Sequence, residues 1–240
     1  MAPVTPNSAL LTDAFSSLCC AGGKTRTLCD LGEPSMRLGA SLAVIVGSLL
    51  LGACAGVGIV ATSDPRAKLE DAEDLFMRQG RPLPAERLIR EATAIYEERN
   101  DSHGLANAYR DYGDLLRSPA VAKWETVYRR DGFLDKSVTF DNRSARATEH
   151  YLKALQYYRL AEQQYRDART FDRLTNVYYN MAGTHLKLGE RDKGCSYYDQ
   201  SVGTYAENIK QNPTAKPYVP PGSGSFADFI ATAKRRAGCQ

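Results

Sequence analysis

The chain has 240 residues, and its 31 Lys and Arg against 28 Asp and Glu give a formal net charge of +3 at pH 7. This charge is too balanced to imply a nucleic-acid partner, so we expect none. Three residues of each sign lie before position 54, so the rest of the chain keeps the same net charge and is long enough for one domain with a hydrophobic core.

Residues 1–35 show no hydrophobic periodicity. They hold Cys19, Cys20 and Cys29 among scattered Pro, Gly and Ser. We expect either a disordered leader or an upstream extension, with translation starting at Met36.

Residues 36–53 have the order of a secretory signal peptide. Met36 is followed by the cation Arg37, then by an uncharged apolar run, then by small residues before Cys54. The sequence therefore predicts export of everything that follows.

The stretch Leu51-Gly52-Ala53-Cys54 resembles the lipobox of bacterial lipoproteins. The resemblance implies that the Cys54 thiol is lipidated, that the chain is cut just before it, and that residues 54–63 form a lipidated linker. Position 55 is Ala and not the Asp that marks inner-membrane retention, which favours the outer membrane with the domain facing the periplasm. Lipidation at Cys54 also makes the membrane itself a partner, through the anchor.

A signal anchor is the alternative for the same segment. The 26 residues 38–63 carry no formal charge and are long enough to span a bilayer, with cations before them. This alternative predicts an inner-membrane protein. Both alternatives place residues 64–240 outside the cytoplasm.

Apolar residues recur every three and four positions after Asp64, which predicts helices. Asp64-Pro65 is a good helix start, with a capping side chain followed by proline at the first helical position. The predicted core positions of the first three helices are Leu69, Ala72, Leu75, Phe76, Ala85, Leu88, Ile89, Ala92, Tyr96, Leu105, Ala108, Tyr109, Tyr112 and Leu116.

Residues 177–202, "VYYNMAGTHLKLGERDKGCSYYDQSV", resemble a tetratricopeptide repeat (TPR). An aromatic Tyr178, a small Ala182, a turn at Gly189 and a small Gly194 occur in the order of that motif. "LEDAEDLFMRQGRPLPAERLIREATAIYEE" has the same order, and a middle copy is split between "AYRDYGDLL" and "ATEHYLKAL".

This resemblance implies an all-α fold: a TPR-like helical-hairpin solenoid of about three hairpins over residues 64–211, with an insertion and a C-terminal capping helix. The sequence departs from the TPR pattern in lacking a Trp at the first aromatic position, in lacking regular closing prolines, and in its long interruption. An irregular helical bundle is the alternative.

The interruption, residues 117–143, is an insertion that contains the only Trp of the chain. Aromatic residues and arginine are enriched in protein interfaces. One interpretation makes the insertion a partner-binding loop, and the other packs its aromatics on its own repeat as an extra helix. The candidate partner-binding residues are Trp124, Tyr128, Arg129, Arg130 and Phe133.

Residues 212–224 read as a Pro/Gly linker, and residues 225–240 as a final helix opened by a capping box at Ser225. We expect this helix to fold back as a cap; binding a partner or the membrane surface is the alternative. Cys195 and Cys239 form a candidate disulfide, because an oxidising compartment allows a bridge between them.

Catalytic and metal-binding motifs are missing from the sequence. His103, His150 and His185 are isolated, and no zinc, nucleophile-elbow or phosphate-loop pattern occurs. We therefore expect no catalytic residue, cofactor, metal or small-molecule substrate.

The combined prediction is a non-catalytic envelope lipoprotein that acts as an adaptor or scaffold through a TPR-like surface. Its partner would be a protein or peptide of the cell envelope, in envelope assembly, secretion or pilus biogenesis, or protease regulation. The alternative is a periplasmic immunity or inhibitor protein that binds one toxin or enzyme.

Overall fold

The computed structural model describes residues 62–214, Val219 and residues 222–239, all of them within the unit Gly52–Gln240. The leader, the signal peptide and Cys54 lie outside the described residues. Among the residues that are described, no helix is both long and apolar enough to cross a membrane.

Every regular element of the described residues is a helix, which confirms the predicted all-α class. In chain order the helices are α1 (Pro65–Met77), α2 (Pro82–Glu98), α3 (Ser102–Arg117), α4 (Pro119–Lys123), α5 (Glu125–Asp131), α6 (Arg143–Asp167), α7 (Phe171–Lys187), α8 (Arg191–Gln211) and α9 (Phe226–Ala237).

Side-chain caps fix the starts of several helices. Asp64 accepts a hydrogen bond from the Arg66 amide at 2.9 Å at the start of α1, and Asp101 accepts one from the Gly104 amide at 2.9 Å at the start of α3. Ser225 caps α9. Each cap satisfies an amide that the helix itself leaves without a partner.

The longer helices pack in consecutive pairs. α1 lies against α2, α3 against α6, and α7 against α8. Contacts of α2 with α3 and of α6 with α7 join the pairs in series, and α9 lies against α8. The short helices α4 and α5 fall within the predicted insertion, between the two helices of the middle pair.

Three apolar clusters follow this order. The first joins α1, α2 and α3 to the insertion and the start of α6, the second joins α6 and α7, and the third joins α8 and α9. All the core positions predicted for the first three helices are buried except Tyr109, which is partly exposed.

Glycines set how closely the paired helices approach. A Cβ atom at Gly113 of α3 would lie 2.6 Å from Cε1 of Tyr151 in α6, and one at Gly194 of α8 would lie 2.8 Å from Cγ of Leu186 in α7. Atoms do not pack at such distances. The helix pairs therefore have their present spacing because no side chain stands at these positions.

We predict that Gly113→Ala lowers the free energy of unfolding by about 1–3 kcal/mol, measured by urea denaturation. The Tyr151 ring cannot move aside easily, because it is buried and its hydroxyl donates to Asp114 at 2.7 Å. Gly203→Ala in α8 is the matched control, since an added Cβ there meets no atom within 4 Å.

The control should gain up to about 1 kcal/mol of stability from the better helix propensity of alanine. Equal effects of the two substitutions would contradict the close approach of α3 and α6.

Candidate partner-binding surface

The insertion packs into the fold instead of standing away from it. Tyr128 and Phe133 are fully buried, with ring centroids 4.1 Å apart. Trp124 is partly buried, and its indole N–H donates to the Gly80 carbonyl at 3.1 Å. The aromatics are therefore packed, as the second interpretation expected, but against the first helix pair as well as their own: Trp124 bonds the turn after α1, and α4 lies against α1.

A buried carboxylate ties the insertion to α2 and α3. Glu86 of α2 is 1% exposed, and its Oε1 accepts hydrogen bonds from the Tyr112 hydroxyl at 2.9 Å and the Leu134 amide at 2.8 Å. Burial raises the pKa of Glu86, while these hydrogen bonds favour its charged form. Glu86 thereby connects three segments through one oxygen.

Two of the five candidate partner-binding residues remain exposed. Arg129 bonds Glu125 at 2.7 Å and Asp141 at 2.7 Å, and Arg130 bonds Asp131 at 2.8 Å. A partner that docks on the closed fold would meet these arginines and part of Trp124. It would not touch Tyr128 or Phe133.

A second surface, which the sequence reasoning missed, lies on α1, α3 and α7. These helices and the first half of α8 line a cleft of about 330 Å³, named here the central cleft. Its residues are Glu73, Arg110, Asp111, Asp114, Tyr179, Asn180, Gly183, Lys187 and Tyr198.

The floor of the central cleft is a polar network. Arg110 donates hydrogen bonds to Asp111 at 2.9 Å and to the Tyr158 hydroxyl at 3.3 Å. The Tyr158 hydroxyl donates to the side-chain oxygen of Asn107 at 2.7 Å, and the Asn180 side chain donates to the same oxygen at 3.1 Å. Burial raises the pKa of Asp111 to about 6, even though Arg110 lies beside it. The network fixes polar groups on adjacent helices in one arrangement.

Charges at the rim are largely paired. Asp114 accepts from the Tyr151 hydroxyl at 2.7 Å and forms an ion pair with Lys187. Glu73 is exposed and forms no ion pair with another described residue. The central cleft is thus polar and already neutralised, apart from one free carboxylate on α1.

A larger cleft of about 780 Å³ lies between α7, α8 and α9, named here the terminal cleft. Tyr179 and Tyr198 line both clefts, so the two are adjacent. The Tyr179 ring lies 5.9 Å from that of Tyr198 and 5.3 Å from that of Phe229, centroid to centroid. These aromatic rings separate the polar central cleft from the wall formed by α9.

α9 folds back on α8 and is held there in several ways. A disulfide joins Cys195 of α8 to Cys239, just beyond the end of α9. Lys234 bonds Asp199 at 2.6 Å, and the Phe226 ring stacks on Tyr205 with centroids 4.6 Å apart. The C-terminal helix is therefore a fixed wall of the terminal cleft.

The three histidines lie on three different helices and have different aromatic neighbours. His103, His150 and His185 each have one buried ring nitrogen without a hydrogen-bond partner among the described residues. No group of three or more His, Cys, Asp or Glu side chains within the described ranges could hold a metal ion. What the geometry offers is a surface with a polar section and an aromatic section.

Comparison with protein-family models, with curated proteins and with solved structures returned no match. The proposed function of this surface therefore rests on its own geometry and on the motifs of the sequence.

A weak sequence signal for the central cleft exists. Asn107, Arg110, Asp111 and Asp114 recur at three- and four-residue spacing on α3, opposite its apolar positions. Such a polar stripe on one helix is usually a solvated face. Only the packing of α1 and α7 beside α3 turns it into the floor of a cleft.

We predict that Glu86→Ala lowers the free energy of unfolding by about 2–4 kcal/mol, because it removes the acceptor of the buried Tyr112 hydroxyl and of the Leu134 amide. Trp124 is the only Trp of the chain, so its fluorescence reports on the insertion during chemical unfolding. Glu125→Ala is the control, since it removes only an exposed carboxylate paired with Arg129. The idea fails if both variants unfold at the same denaturant concentration.

Replacing both Cys195 and Cys239 by Ser should lower the free energy of unfolding by about 2–4 kcal/mol, because the disulfide closes a long loop in the unfolded chain. Hydrogen exchange should also quicken in α9. Reductant should reproduce these effects in the unmodified protein and change nothing further in the double variant. Unchanged exchange in α9 would show that its apolar contacts alone hold it.

Proposed function

We propose that the chain is a non-catalytic lipoprotein of the bacterial envelope that acts as an adaptor or scaffold for other envelope proteins. In this proposal Cys54 carries the lipid at the outer membrane, and the helical domain faces the periplasm. A protein or peptide partner docks on a TPR-like surface made of the central and terminal clefts.

One observation carries the proposal: the first helix of every pair contributes to the same cleft. Glu73 of α1, Arg110 of α3 and Asn180 of α7 all line the central cleft. Stacked helix pairs of the TPR type form a continuous surface of this kind, which suits extended peptides or helices. The fixed polar network lowers the entropy lost when a partner binds.

The disulfide supports a location in the periplasm. Disulfides persist in oxidising environments such as the periplasm and are rare in the bacterial cytosol. Cys195 and Cys239 use each other, which leaves Cys54 as the one cysteine after residue 53 outside that bridge. A thiol at the start of the exported chain is the one that the lipobox resemblance assigns to lipidation.

The anchor is tested by the intact mass of the protein extracted from its native membrane, beside a Cys54→Ser variant. We expect a chain that begins at Cys54 and carries the added mass of acyl chains, and no such species in the variant. An unmodified chain that retains residues 36–53 would indicate that this segment is a signal anchor. That result would contradict the lipidation of Cys54.

The adaptor role is tested by a photo-crosslinking residue placed at Glu73, in the central cleft, or at Glu98, exposed at the end of α2. We expect crosslinks to several envelope proteins from position 73 and few from position 98. A single stoichiometric partner would favour the immunity or inhibitor protein. Equal crosslinking from both positions would contradict docking in the cleft.

A further inference from the structure

The terminal cleft differs from the central cleft in its charge. Arg191 of α8 and Arg236 of α9 line it, and no described carboxylate does. Among the described residues that line it, both charged side chains are therefore cationic.

The two arginines have no ion-pair partner among the described residues. Glu190 bonds Lys193 at 2.7 Å and His185, and Asp199 bonds Lys234. Asp192, the neighbour of Arg191 in the chain, lines a different pocket and forms no ion pair with Arg191 among the described residues. The positive charge of the cleft is thus not neutralised from within the described part of the chain.

Both arginines lie near the end of α9 that the disulfide closes. The Arg191 guanidinium carbon is 3.8 Å from where a Cβ atom would stand at Gly238, and Arg236 is in the last turn of α9. The rest of the lining mixes apolar and aromatic side chains, among them Leu186, Phe229 and Tyr179, with the polar Ser223 and Thr232. A cationic end next to these apolar and aromatic side chains matches a ligand with negative charge beside a bulky apolar group.

We propose that the terminal cleft binds an acidic peptide segment of the partner, with carboxylates on Arg191 and Arg236 and an apolar side chain against Tyr179 and Phe229. Arginine suits this role because its planar guanidinium binds carboxylates in a bidentate manner. The cleft volume of about 780 Å³ is in the range of ligand-binding pockets, so several peptide side chains fit. This inference rests on the proposed function and specifies the chemical class of the partner segment.

An anionic membrane surface would also attract the basic end of α9, but the orientation of the helix does not suit membrane binding. A helix that lies in a membrane interface exposes its apolar face to the lipid. In α9 the apolar residues Phe226 and Ile230 are buried against the domain, and Lys234 is held by Asp199. The structure favours the peptide.

The test uses the purified full chain and two fluorescent peptides measured by anisotropy. The acidic probe has a central Phe flanked by two Glu on each side, and the second probe carries Lys in place of every Glu. We expect the acidic probe to bind at least about tenfold more tightly than the lysine probe, since only its charge complements the cleft. Equal binding of the two probes would overturn the proposal.

The decisive variant is Arg191→Glu combined with Arg236→Glu. It should weaken binding of the acidic probe by about tenfold or more, because two attractions become repulsions. Arg87→Glu combined with Lys123→Glu is the matched control: both residues are exposed, lie outside the cleft, and give the same change in net charge. Circular dichroism and thermal unfolding establish that both variants fold.

The control variant should bind the acidic probe within about twofold of the unmodified protein. Equal losses of affinity in both variants would show that only the overall charge of the protein matters. That result would contradict binding in the terminal cleft. Sedimentation with phosphatidylglycerol vesicles completes the set. Vesicle binding that depends on Arg191 and Arg236, without peptide binding, would assign the arginines to the membrane and refute the inference.

Failure of this inference is distinguishable from failure of the proposed function. If the variant Arg191→Glu with Arg236→Glu keeps the crosslinks from position 73, the adaptor role is supported and the acidic-peptide site in the terminal cleft is contradicted. If position 73 crosslinks no envelope protein in the unmodified chain, the adaptor itself falls, whatever the peptides do.

Discussion

The close approach of α3 to its neighbours is the constraint on which the rest of the fold depends. Gly113 lets Tyr151 of α6 lie against the backbone of α3, and Gly104 does the same for Tyr96 of α2. With the helices this near, tyrosine hydroxyls reach polar groups on the next helix, as from Tyr112 to Glu86 and from Tyr151 to Asp114. The apolar contact and the polar network therefore arise from the same small residues.

Much of the helical scaffold could be predicted from the sequence, because periodicity and capping are local. Asp64-Pro65 marked the start of α1, and the core positions that the apolar spacing predicted in the first three helices are buried, with Tyr109 as the exception. Glu86 could not be predicted as a core residue. Nothing in its neighbours distinguishes it from a solvated glutamate until the insertion returns and places the Leu134 amide beside it.

Even less of the candidate site than of the fold could be predicted from the sequence. The aromatics of the insertion fit an interface and a core equally well, and only three-dimensional packing placed Tyr128 and Phe133 inside. The polar stripe on α3 was visible in the sequence, but its meaning depends on α1 and α7, which are distant in the chain. The pairing of Cys195 with Cys239 was left open for the same reason: a distance in space does not follow from a distance in sequence.

The disulfide also changes what a protease can do to this protein. Prolines and glycines dominate the sequence between α8 and α9, and such connecting segments are common targets of nicking. A single cut there separates the chain into two polypeptides, yet the bond between Cys195 and Cys239 keeps α9 attached to α8. The wall of the terminal cleft would stay in place after the backbone is broken, because the covalent link no longer depends on the connecting segment.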